Sequence, residues 1–184
     1  MKTTGTEILG VRLFADAHAI NKLIRKLPAD VRAYVRSLRT EKPDADEEWL
    51  RGSTHAAFSM QPLQIGEIRS IKIETKPRRF LNEYAIKMSG FLHEAEIPYV
   101  GHPTLWRQQM LVGARFPFQG KVSPSTVRLR TFIDGENYWQ FKADVEAALS
   151  EAREMLRITE ASSGLLAEQT RCAVDKQLAA IFGT

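Results

Sequence analysis

The stretch 127–156, VRLRTFIDGENYWQFKADVEAALSEAREML, changes its period halfway along, and that change decides the fold. Val127, Leu129, Thr131 and Ile133 alternate with Arg128, Arg130 and Phe132, which predicts a strand with one apolar and one basic face. Asp134-Gly135 is a turn pair that closes it. From Tyr138 onward the period is that of a helix: Tyr138, Phe141, Val145, Ala148, Leu149, Ala152, Met155 and Leu156 fall on one side. Ser162-Ser163-Gly164 predicts a break, followed by a last helix carrying Leu166, Val174, Leu178 and Ile181.

Working outward, Leu9, Val11 and Leu13 at period two predict a strand over 7–14. Asp16 can cap a helix that runs to Leu27 along Ile20, Leu23 and Ile24. Pro28 suits the first turn of a second helix, with Val31, Tyr34, Val35 and Leu38 as its stripe and Arg32, Arg36 and Arg39 opposite. The acidic connector 41–48 reads as a loop leading to a short turn at Trp49 and Leu50. Residues 68–74 predict a strand ended by Lys76-Pro77, and Pro77 then opens a helix to about Glu94 along Leu81, Tyr84, Ala85, Met88 and Leu92. Prolines and glycines punctuate 98–126 into loop with short extended pieces. The sum is an α+β fold in one domain over 1–184: a small, mostly antiparallel sheet, helices at both ends of the chain, and a long C-terminal helix.

Bulk properties narrow the class. A chain of 184 residues with 43% hydrophobic content can bury a core. No apolar run approaches a membrane span, and Glu7, Arg12 and Asp16 interrupt any signal-peptide core, so a cytoplasmic location without membrane contact is expected. Cys172 is the sole cysteine, which excludes an intramolecular disulfide, and it is expected as a small core residue. The charge is unevenly spread: +1 over 1–50, +6 over 51–135 and −3 over 136–184, for a net +4.

Eleven of the sixteen aromatic residues lie between Phe80 and Phe141, within or beside that basic middle. Rings beside cations suit base stacking with phosphate neutralisation. The expected role is therefore that of a non-catalytic nucleic-acid-binding protein or nucleoprotein-complex subunit, favouring single strands, whether RNA or DNA. Lys76, Arg78, Arg79, Arg107, Arg115, Lys121, Arg128 and Arg130 would meet phosphates, while Trp106 or Phe132 would stack bases. Loss of Arg128 and Arg130 together should then cost within roughly 1 kcal/mol of stability.

The alternative is a protein–protein module, an assembly subunit or inhibitor of a phage, plasmid or defence system, with the C-terminal helices as interface and 98–118 as recognition loop. A metal-dependent nuclease using Glu74 and Lys76 comes third, because the partner acid it needs has no convincing strand. Glu74 is expected instead as a solvated carboxylate near Lys72 or Lys76. His93 and Glu96, with His102 nearby, are expected as surface residues at a helix end rather than metal ligands. No catalytic residue, metal or cofactor is expected.

Overall fold

The computed structural model describes residues 9–81, 86–109 and 116–183, of which 159–166 as backbone only. Along the chain run β1 (Val11–Arg12), α1 (Ala19–Glu41), α2 (Glu47–Phe58), β2 (Gln64–Ile65), β3 (Ser70–Ile73), β4 (Arg78–Leu81), β5 (Lys87–Val100), a 3-10 turn (Pro103–Trp106), β6 (Gln119–Val122), β7 (Thr126–Ile133) and α3 (Tyr138–Phe182). The fold is α+β, as the sequence predicts, with one antiparallel curled sheet. β5 is its spine. One edge of β5 pairs with β7 from Phe91 to Pro98, and the other takes β4, β3 and β2 in turn. β6 then pairs with β7, and β1 with β6.

The predicted helix from Pro77 to about Glu94 does not exist in the described residues; β4 and the start of β5 form a ribbon there, and Tyr84 and Ala85 lie outside those residues. Ser89-Gly90 is a weak helix former. From His93 onward the burial has period two: His93, Ala95, Ile97 and Tyr99 point into the core, with Glu94, Glu96 and Pro98 between them. A Cβ on Gly90 would lie 3.4 Å from that of Phe132. Its absence lets Phe80 of β4 and Phe132 of β7 stack at 3.9 Å across β5. Pro98 survives inside the strand because its missing N–H faces the gap between β2 and β3, while its carbonyl accepts the Gly66 N–H at 2.9 Å.

Two predicted helix breaks are also absent. α1 runs straight through Pro28, since Leu27, Val31, Val35 and Leu38 are buried on one continuous stripe. Burying that stripe outweighs the hydrogen bond Pro28 forfeits, worth up to about 3 kcal/mol in a helix interior. Pro28→Ala should therefore raise stability by about 1–2 kcal/mol, less than the full penalty because alanine also loosens the unfolded chain. An unchanged or lower urea midpoint would contradict this. Asp16 is not the cap itself: it accepts the His18 N–H at 2.9 Å one residue before the helix, and the Lys22 ammonium followed by that N–H holds its carboxyl below the usual range. The acidic connector yields a real helix, α2, because Asp46 accepts the Trp49 N–H and Glu47 and Glu48 occupy its first turn. α3 likewise continues past Ser162-Ser163-Gly164, about 68 Å in all at 1.5 Å per residue.

This length lets α3 serve two cores. Its first part lays Phe141, Val145, Ala148, Leu149 and Ala152 on the inner face of the sheet, with Ala95, Ile97, Val127 and Leu129 beneath. Its last part packs Val174 and Leu178 against Leu27, Val31 and Val35 of α1, with Phe58 of α2 alongside. The predicted strand 127–133 keeps its expected inward face, since Val127 and Leu129 are fully buried. Of the predicted strand over 7–14, Glu7 and Ile8 lie outside the described residues; in the rest only β1 is strand, and Leu13 and Phe14 leave it for the core.

Candidate binding surfaces

The outer face of the sheet carries the basic residues that the sequence singles out, and the strand register sets them beside acids. One row reads Lys72, Glu94, Arg130, Gln119; the next reads Ser70, Glu96, Arg128, Lys121. Arg130 donates from Nε to Glu94 at 2.6 Å, and both side chains are nearly buried, 12% and 14% exposed. Arg128 donates to Glu96 at 3.2 Å, and Arg78 grips both oxygens of Glu74. Glu74 thus differs from expectation: its partner is Arg78, not Lys72 or Lys76. Lys72 and Lys121 remain exposed, with no ion pair among the described residues. They flank an open groove of about 780 Å³ that Arg78, Arg130 and Leu92 also line.

The expected stacking rings are mostly withdrawn from this face. Trp106 is 0% exposed, set in the core against Phe14 at 5.2 Å and Tyr99 at 5.6 Å. It presents no ring face to a base, which corrects the expectation. Phe132 is half-buried with one face covered by Phe80. Lys76 is exposed in the turn before β4, Arg79 on the reverse face of the ribbon, and Arg107 at the end of the 3-10 turn. Arg115 lies outside the described residues. The structure thus brings Arg78, Lys121, Arg128, Arg130 and Phe132 together, and leaves Lys76, Arg79, Trp106 and Arg107 off that face. In α1, Arg39 sits 5.1 Å from the Phe182 ring and Arg32 donates to the Pro28 carbonyl.

No group of metal-ligating side chains occurs among the described residues. His93 is fully buried rather than on the surface, with its Nδ1 3.0 Å from the Phe91 carbonyl and its ring edge on Phe141. His102 accepts the Thr104 N–H, and burial pushes its imidazole below the usual range. Cys172 is exposed rather than in the core, because it falls off the Val174–Leu178 stripe. No described helix is long and apolar enough to cross a membrane.

A second surface is the outer half of α3. Trp139 is 74% exposed, the largest exposure of any big apolar side chain described, with Tyr138 and Ile158 also exposed on the same helix. The sequence carried the signal. Trp139 precedes the buried Phe141 by two positions, about 200° around a helix, so it must face away from the core. A third feature is the ribbon itself: Lys87–Gly90 pair with β4 alone, because β7 stops opposite Phe91.

Compared with protein families, with curated proteins and with solved structures, the chain finds no match.

Proposed function

We propose that the protein is a non-catalytic protein–protein module, an assembly subunit that engages another chain through the exposed half of α3. The observation that carries this reading is Trp139, 74% exposed on a helix whose opposite side is fully buried core. Tryptophan is the residue type most enriched at the centres of interfaces, and leaving it in water forgoes a large burial gain. The test is recovery of the tagged protein from its native host. Wild type should retain a stoichiometric second chain, a different protein or an untagged copy, and Trp139→Asp should lose it while keeping its unfolding midpoint. Recovery of the bare chain in both cases would overturn the reading.

Nucleic-acid binding is the second reading, favoured by Lys72 and Lys121, which flank the outer groove with no ion pair among the described residues. It predicts salt-sensitive binding of single-stranded oligonucleotides, weakened by Lys72→Ala with Lys121→Ala and with a salt slope lower by about one to two units. Its main physical support, exposed rings for stacking, is reduced by the burial of Trp106.

A further inference from the structure

Among the described residues, charge without an ion-pair partner stands on two separate surfaces, of opposite sign. On the ribbon, the register Arg79↔Ser89 and Leu81↔Lys87 places Arg79, Leu81 and Lys87 on the face opposite Phe80 and Met88. Arg79 and Lys87 are exposed and have no acidic partner among the described residues, whereas Arg78, Arg128 and Arg130 on the outer face all do. Ile86, beside Lys87, is an exposed large apolar side chain. A two-stranded ribbon is marginal in water until something covers it.

On α3 the balance is reversed. Lys142 pairs with Glu146, and Arg157 with Glu154. This leaves Asp144 and Glu151 exposed without a cation among the described residues; Asp144 only accepts from the Gln140 amide. Seven residues apart, they lie on one line of the helix with Ala147 between them and the exposed Ile158 seven residues beyond. Two acids and an isoleucine on the helix thus match two cations and Leu81 on the ribbon.

We propose that the Asp144–Ile158 line of α3 seats the β4–β5 ribbon of a second copy of this chain, with Arg79 and Lys87 meeting Asp144 and Glu151. This contact is separate from the Trp139 surface, since Asp144 lies five positions, about 140° around the helix, from Trp139. The two surfaces differ, so the contact is heterologous and a pair of copies keeps one free surface of each kind. Association then closes a ring or extends as a filament, rather than stopping at a two-fold dimer.

Sedimentation velocity of the purified full chain tests this at concentrations up to roughly 500 µM, the range that small, weak interfaces require. The weight-average mass should at least double at the top of the range in ~50 mM salt and return towards the monomer at ~500 mM, where charges are screened. Arg79→Glu with Lys87→Glu should be monomeric, and so should Asp144→Lys with Glu151→Lys. Mixed together they should associate again, because the intact surface of each meets that of the other and the two reversed surfaces are also of opposite charge. All four side chains are exposed, and unchanged circular dichroism confirms folding; Lys87→Ser and Glu151→Gln weaken the same contact without reversing charge. A wild type that stays monomeric throughout, or variants that do not associate on mixing, would overturn the proposal. If Trp139→Asp nevertheless loses a different protein captured by wild type, the module reading stands and only the self-association falls.

Discussion

Replacing Trp106 by alanine should destabilise the protein by about 3–5 kcal/mol, the range for deleting a fully buried large side chain. The ring is enclosed by Phe14 and Tyr99 in the same core that holds Phe118 and Phe141, and its exposure is nil. Its indole N–H has no partner among the described residues, so the cost is that of lost contacts and a cavity, not of a broken hydrogen bond. A loss of this size lowers the unfolding midpoint by about 10 °C in a chain of this length. Trp106→Phe should recover more than half of it. An alanine variant that unfolds like wild type but binds oligonucleotides less well would restore the stacking role that burial removes.

Arg130→Ala should cost about 2 kcal/mol, well beyond the small effect that a solvated strand arginine would have. The reason is Glu94, 14% exposed, which among the described residues keeps only the distant Arg128 guanidinium, 3.9 Å away, once its main partner is gone. A wholly buried orphan would cost more; the residual exposure and Arg128 reduce it. Arg128→Ala should stay within about 0.5 kcal/mol, because Arg128 is 46% exposed and its ion pairs are screened by water. Replacing both members, Arg130→Met with Glu94→Gln, should cost less than Arg130→Ala alone, since no charge is stranded. Denaturant titration of the three variants checks the order; equal small losses for Arg128 and Arg130 would show that the Glu94 pair is not desolvated.

These two arginines show how far the sequence can be read. Their placement on one strand face, opposite Val127 and Leu129, follows from alternation alone, and the strand has that orientation. Their chemistry does not follow. Glu94 lies 36 positions from Arg130, in a segment whose apolar residues also fit a helix, so the row Lys72–Glu94–Arg130 had no local signature. A ribbon was invisible for the same reason: Leu81, Met88 and Leu92 fit a helical stripe, and only pairing of β5 with β7 and β3 fixes the segment as extended. The exposure of Trp139 was legible, because the apolar stripe through Phe141 already implies which helix positions face solvent.

By itself, the sequence determined what short-range periodicity carries: the strand at 127–133, the helix from Tyr138, the stripe from Val31 to Leu38, and hence an α+β chain. Whether punctuation is obeyed was decided only in three dimensions. Pro28 and Ser162-Ser163-Gly164 are local penalties of at most a few kcal/mol, and burial of Val31, Val35, Val174 and Leu178 across two helices offsets them. Which charges are neutralised and which rings are hidden was likewise settled by register and packing. Both depend on partners tens of residues away, and neither period nor composition encodes those distances.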